Sequence, residues 1–82
     1  LTKMGMILYS NQKGIQFYTG NNMKYNYKGK NNRKYGKNFG LCFEPQKYPN
    51  AINTKSFPSI VLKKDKRYKS HIVFCLKNNF DQ

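Results

Sequence analysis

Acidic residues are scarce in this chain. Its 82 residues include 3 acidic side chains against 16 lysines and arginines, which gives a formal net charge of +13 at pH 7. Only one of the acids is a glutamate, Glu44, and it stands among apolar neighbours at positions 41–43. A lone carboxylate in such a basic chain is either unfavourably placed or placed for chemistry.

Cysteine and histidine are also rare. The two cysteines, Cys42 and Cys75, have no CxxC spacing, and His71 is the single histidine. This pattern predicts no metal site. One disulfide is arithmetically possible, but both cysteines lie in apolar strand-like runs, which favours buried free thiols.

Long apolar runs are missing. The longest, residues 72–76, is far too short to span a bilayer, and no secretory signal pattern is visible. We therefore expect a cytoplasmic protein. A chain of 82 residues forms one small domain at most, and its core is limited.

Helical periodicity is absent as well. Pro45, Pro49 and Pro58 exclude regular helix from the middle of the chain. Residues 6–9 and 15–19 have strand patterns, and the turn-forming residues between them favour a β-hairpin. The sequence therefore predicts an all-β protein.

The remaining segments fit the same class. Residues 59–62 and 68–76 predict two further strands, joined by a charged hairpin loop at 63–67. Residues 21–38 contain almost no aliphatic side chain and no periodicity, which predicts a long loop.

Glu44 is followed by proline, and this restricts its backbone. Proline pushes the preceding residue into an extended conformation and cannot donate to a sheet ladder. Residues 41–44 therefore predict the end of a strand, with Glu44 on the face opposite Phe43. A carboxylate at a strand end lies at a rim, a suitable place for a general base.

Two motifs resemble one known family. Residues 40–53 have the pattern Gly-aliphatic-Cys-aromatic-Glu-x-Gln-x-x-Pro-Asn-Ala-x-Asn, followed by Phe-Pro-Ser at 57–59. This resembles the C-terminal signature of the aldose 1-epimerase (galactose mutarotase) family. The run Gly-Ile-Gln-Phe-Tyr-Thr-Gly-Asn at 14–21 resembles a second motif of that family, in the same order and with the same spacing.

The resemblance implies a large antiparallel β-sandwich several times longer than this chain. Residues 1–82 are therefore expected to be the C-terminal portion of a single aldose 1-epimerase domain, with the remainder of that mutarotase domain as partner. Part of such a sandwich leaves strand edges and apolar faces uncovered, so we expect the chain alone to be unstable or aggregation-prone.

The resemblance also implies an activity, the interconversion of α and β anomers of a free hexose such as galactose or glucose, without a metal or cofactor. Glu44 matches the glutamate that removes the proton from the anomeric hydroxyl. Gln16 matches a glutamine that hydrogen-bonds sugar hydroxyls. The family's acid is a histidine that His71 does not match, so we expect the chain alone to be inactive.

Other functions remain open on the sequence. One is a relative that acts on a phosphorylated hexose; another is a non-catalytic sugar-binding remnant. A third is a basic nucleic-acid-binding module built on residues 21–38, where tyrosines alternate with lysines. Only Arg33 and Arg67 are arginines, however, and the abundance of Lys, Asn, Tyr, Ile and Phe favours a compositional bias over specific nucleic-acid contacts.

Overall fold

The computed structural model describes residues 3–79 and confirms the all-β prediction. These residues form six strands in three two-stranded antiparallel sheets, an arrangement consistent with part of a β-sandwich. The helical elements described are single turns of 3-10 helix. The strands are β1 (Gly5–Ser10), β2 (Gly14–Tyr18), β3 (Tyr27–Lys28), β4 (Lys34–Tyr35), β5 (Cys42–Gln46) and β6 (Ile72–Lys77).

The first sheet pairs the first strand with the last strand. Strand β1 pairs with β6 from Gly5 opposite Lys77 to Ser10 opposite Ile72. Both strands are continuous apolar runs rather than alternating ones, a pattern typical of strands that are covered on both faces. Every residue of β6 is nevertheless exposed here. The sheet therefore presents apolar side chains on both sides.

The predicted hairpin between the first two strands is wrong. Strand β1 pairs with β6, and β2 pairs with β5, so consecutive strands enter different sheets. A tight hairpin turn requires residues with positive φ. Residues 11–14 have none, because the positive-φ positions lie elsewhere, at Gly20 and at several asparagines and Asp65. The connection therefore does not fold β2 back onto β1.

The predicted strand at residues 59–62 is also wrong, and the strand predicted from residue 68 begins only at Ile72. The charged turn between these segments does form, since the Lys66 N–H donates to the Lys63 carbonyl at 3.2 Å and Asp65 has a φ of 63°. Residues 59–62 have no ladder partner among the described residues. A strand pattern without a partner strand does not make a sheet.

Residues 21–38 form a loop, as predicted, with a short hairpin inside it. Strands β3 and β4 pair antiparallel, and residues 30–32 between them make a 3-10 turn. The turn is closed where the Gly29 N–H donates to the Arg33 carbonyl at 2.8 Å. Asn31 and Asn32 adopt positive φ in this turn, which asparagine tolerates better than most residues.

Little of the chain is buried. Among the described residues the only buried apolar side chain is Ala51. The accessible surface is 7876 Å², whereas a compact protein of 9.7 kDa exposes about 5,100 Å². The radius of gyration is 17.5 Å against about 12 Å for a compact chain of this length. Most large apolar side chains among residues 3–79 are therefore left uncovered.

The two cysteines are exposed for the same reason. Cys42 and Cys75 are free, as predicted, but both are exposed, so the prediction of buried thiols is wrong. Strand periodicity correctly placed them in apolar runs. Burial, however, requires a second layer of structure, and the part of the chain that the structure describes does not supply one.

Candidate active site

The candidate site is built on the pair of strands β2 and β5. They run antiparallel from Gly14 opposite Gln46 to Tyr18 opposite Cys42. This register places Gln16 directly opposite Glu44. The two residues predicted from the separate motifs are therefore cross-strand neighbours, although the long loop separates them along the chain.

Pro45 determines which pairs of this ladder carry backbone hydrogen bonds. Because Pro45 has no N–H, its pair with Ile15 cannot exchange two backbone hydrogen bonds. Pair types alternate along an antiparallel ladder, so Gln16 and Glu44 form a hydrogen-bonded pair with Cα atoms about 5.5 Å apart. Strand β5 thus continues through the proline to Gln46, two residues beyond the predicted end. Glu44 lies within the strand rather than at its rim.

The two faces of this sheet differ in chemistry. Side chains alternate along a strand, so Gln16 and Glu44 share one face while Phe17 and Phe43 share the other. The two phenyl rings stack with centroids 4.9 Å apart and planes inclined by 14°. This stacked pair makes that face of the sheet apolar. The amide and the carboxylate are left on the opposite face.

Gln16 and Glu44 are both exposed, so their polar atoms are accessible to a ligand. An ionised carboxylate only accepts hydrogen bonds and can take a proton from a hydroxyl. The neighbouring amide both donates and accepts, which suits a second hydroxyl on the same molecule. At the separation of a cross-strand pair, one polyhydroxylated ligand is large enough to contact both groups.

The second half of the Glu44 motif builds a turn. Asn50 has a φ of 57° and precedes the 3-10 turn Ala51–Asn53. Its side-chain Oδ1 accepts a hydrogen bond from Asn53 Nδ2 at 2.7 Å, and its carbonyl accepts one from Thr54 Oγ1 at 2.9 Å. These motif residues therefore have a structural role. They turn the chain after β5, and the turn they form contains the buried Ala51.

Two aromatic residues connect this turn region to β2. Tyr48 and Phe57 pack edge to face with ring centroids 5.0 Å apart. The Tyr48 ring also lies against Gly14, where an added Cβ would come within 2.9 Å of Tyr48 Cδ1. The first residue of β2 is thus a glycine because an aromatic ring occupies the space of a side chain.

A clasp closes the long loop at the open end of the β2–β5 ladder. Asn38 donates from its backbone to the Gly20 carbonyl at 2.9 Å and from Nδ2 to the Thr19 carbonyl at 3.0 Å. Gly20 has a φ of 70°, and a Cβ there would lie 2.6 Å from the Gly40 carbonyl oxygen. The loop therefore leaves and returns at one narrow point, just beyond Tyr18 and Cys42.

Sequence reasoning missed the role of Asn38. The residue type did carry a weak signal. Asparagine is one of the few residues that readily adopt the left-handed conformation, and Asn38 does so with a φ of 62°. Nothing in a loop of many asparagines distinguishes the one that spans its base.

His71 belongs to the other sheet. It lies immediately before β6, and its backbone N–H donates to Asn11 Oδ1 at 3.0 Å. Residues 3–79 contain no group of three or more His, Cys, Asp or Glu side chains arranged to hold a metal ion. Within the same range, no helix has the length and apolar character required to cross a membrane.

Cavities elsewhere among the described residues include two. One of about 280 Å³ lies between the first two strands and is lined by Leu8, Ser10, Gln12, Lys13, Gly14, Ile15 and Pro45. Ile15 and Pro45 point away from the Gln16 face, so this cavity is on the other side of β2 and β5. The second, of about 190 Å³, lies beside Ala51 and Phe57.

Comparisons with known proteins agree with the motifs. The chain is 46% identical to galactose mutarotase of Sus scrofa over 61 residues, which are 74% of this chain and 18% of that protein. It is 43% identical to galactose mutarotase of Homo sapiens and 41% identical to that of Pongo abelii over the same lengths. The chain thus spans about a fifth of the length of these curated relatives. No solved structure matches it significantly.

The family model for aldose 1-epimerase matches residues 1–75, nearly the whole chain. That range includes both motifs, the β2–β5 pair that they form and the long loop between them. The chain therefore belongs to the aldose 1-epimerase family.

Proposed function

We propose that this chain is the C-terminal portion of an aldose 1-epimerase domain that interconverts the α and β anomers of a free hexose. Glu44 is the general base and Gln16 binds sugar hydroxyls. The observation that carries the proposal is the register of β2 and β5, which pairs these two residues on one exposed polar face. Either motif alone would support membership of the family, but it would not indicate that the two residues belong to one site.

The reaction begins with the Glu44 carboxylate taking the proton of the anomeric hydroxyl. The electrons of that O–H bond form the C1 carbonyl, the bond from C1 to the ring oxygen breaks, and an acid protonates the ring oxygen. Rotation about C1–C2 then presents the other face of the carbonyl, and closure returns both protons. Glu44 is regenerated, so the cycle consumes no cofactor.

Gln16 orients the sugar for this step. A neutral amide opposite the base can donate to one hydroxyl and accept from another, which holds the anomeric oxygen toward Glu44 without competing for the proton. Holding the two reacting groups in place lowers the barrier by removing the entropy cost of bringing them together.

The acid must come from the remainder of the domain. The one histidine of this chain, His71, is attached through its backbone to the β1–β6 sheet and is not in a family acid position. The exposed apolar faces of that sheet supply a surface on which the remainder packs. Galactose or glucose is the proposed substrate. The two free cysteines suit a reducing compartment, and we place the protein in the cytoplasm.

Polarimetry on freshly dissolved α-D-glucose and α-D-galactose tests the proposal. The complete domain that contains this chain should accelerate the approach to anomeric equilibrium well above the buffer rate, and the isolated chain should not. A complete domain that binds the sugars without accelerating the change would support a non-catalytic sugar-binding protein instead.

A further inference from the structure

The two main sheets are joined by a very short connection. Residues 11–13 run from the end of β1 in one sheet to the start of β2 in the other, and these two strands do not pair. Three residues without regular structure do not by themselves fix the angle between two ladders. The angle depends on the side chains that hold this connection.

Asn11 fastens the connection to the segment before β6. Its Nδ2 donates to the Lys69 carbonyl at 3.0 Å, and its Oδ1 accepts from the His71 N–H at 3.0 Å. The side-chain amide thus makes both bonds that a backbone residue would make, and it extends the β1–β6 ladder beyond the pair of Ser10 and Ile72. This contact belongs to the first sheet.

Tyr68 links that segment to the second sheet. Gln12 Nε2 donates to Tyr68 Oη at 2.6 Å and to Ser70 Oγ at 2.9 Å. From the other side, Lys47 Nζ lies 5.3 Å from the centroid of the Tyr68 ring, within the range of a cation–π contact. Gln12 precedes β2 by two positions, and Lys47 directly follows β5. One tyrosine therefore contacts residues next to both strands of the candidate site.

The geometry points to Tyr68 as a positioning residue that holds the β2–β5 ladder, and with it Glu44, at a fixed angle to the β1–β6 sheet. This inference rests on the proposed function. The hydroxyl restrains the entry to β2 and the ring restrains the exit from β5. Tyr68 acts on the reaction through the placement of Glu44 relative to the acid supplied by the rest of the domain.

The consequence is kinetic, because a displacement of about 1 Å between a catalytic group and its substrate costs roughly 100-fold in rate. In the complete domain, Tyr68→Ala should lower kcat by about 10- to 100-fold. Tyr68→Phe keeps the ring above Lys47 and loses only the bond to Gln12, so its kcat should fall by about 10-fold at most. Tyr25→Phe removes a hydroxyl from an exposed loop tyrosine outside the two main sheets and serves as the matched control with unchanged kcat.

The decisive test combines Tyr68→Ala with Glu44→Gln. If Tyr68 acts through Glu44, its substitution should have little further effect on kcat once the carboxylate is gone, because two residues that act as a unit are not additive. The thermal unfolding midpoint of each variant, measured beside its kinetics, separates loss of fold from loss of placement. Amide exchange at His71 reports whether the Asn11 contacts survive.

The outcomes are distinct. Full additivity of the two substitutions, or Tyr68→Ala with unchanged kcat in a folded, active domain, overturns the positioning role and leaves the proposed function intact. A wild-type domain without mutarotase activity overturns the proposed function itself, and the positioning role with it.

Discussion

Gln16 lies directly opposite Glu44 in the antiparallel pair of strands β2 and β5. This relationship depends on Pro45, whose missing N–H is accommodated at a non-hydrogen-bonded position beside Ile15. A shift of one residue would turn β5 over, so that Glu44 would share a face with Phe17 instead of Gln16, and it would place the proline where a ladder bond is needed. The proline next to the candidate base thus fixes the register that brings the amide to it.

The chain on its own should not form a stable compact protein. Most of the large apolar side chains among the described residues are exposed, and every residue of β6 is exposed as well. We expect strong fluorescence of the dye ANS, association at micromolar concentration and no cooperative urea transition. A monomer with a sharp transition and no dye binding would contradict this prediction.

Gly20 should be the glycine least tolerant of substitution in the loop clasp. Alanine there must adopt a positive φ and place its Cβ against the Gly40 carbonyl oxygen, so Gly20→Ala should destabilise the complete domain by about 1–3 kcal/mol. Gly40→Ala is the matched control, because a Cβ at Gly40 meets nothing within 4 Å. Urea unfolding of both variants measures the difference. Equal stabilities would show that the clasp does not constrain the loop.

Local sequence patterns located the strands better than their partners. The apolar run at residues 6–9 and the alternating run at 15–19 both lie almost entirely within strands of the structure. The hairpin between them was wrong because hairpin closure depends on positive φ in the turn, and residues 11–14 adopt none. The strand that each strand pairs with is determined by contacts between residues far apart in the chain, as in the pairing of β1 with β6. A local sequence pattern carries no information about such contacts.

Other errors have the same origin. Residues 59–62 have the composition of a strand, yet they have no ladder partner among residues 3–79. The thiol of Cys75 lies in an apolar run, yet it is exposed. In both cases the residues of the segment favour a structure, a paired strand or a buried thiol, that forms only beside a neighbouring strand or layer. The described residues do not provide that neighbour. The placement of Gln16 beside Glu44 could be anticipated because two motifs with family spacing indicated it.

Binding to nucleic acid should be weak and non-specific. The lysines of the β3–β4 hairpin are exposed and carry charge, but the chain has only two arginines to make bidentate contacts. Fluorescence anisotropy with unrelated oligonucleotides should give similar affinities that fall steeply between low and physiological salt. Tight, sequence-selective binding at physiological salt would instead identify a nucleic-acid-binding module.

Gln16→Ala should mainly weaken sugar binding. The substitution removes hydrogen bonds to hydroxyls but leaves the Glu44 carboxylate, so the loss should be about 0.5–1.5 kcal/mol per bond, seen as a KM raised roughly 2- to 10-fold. Gln16→Glu would place a second carboxylate opposite the first and should weaken binding further. A fall in kcat with unchanged KM would move Gln16 from binding to catalysis.

The catalytic role of Glu44 is tested most directly by steady-state mutarotation with Glu44→Gln in the complete domain. The substitution keeps the shape and removes the base, so kcat should fall by roughly 100-fold or more while KM changes little. Asp65→Asn, the same change of carboxylate to amide in an exposed turn, is the matched control and should retain wild-type turnover. Near-wild-type kcat for Glu44→Gln would contradict the account and leave Glu44 as an ordinary exposed strand residue.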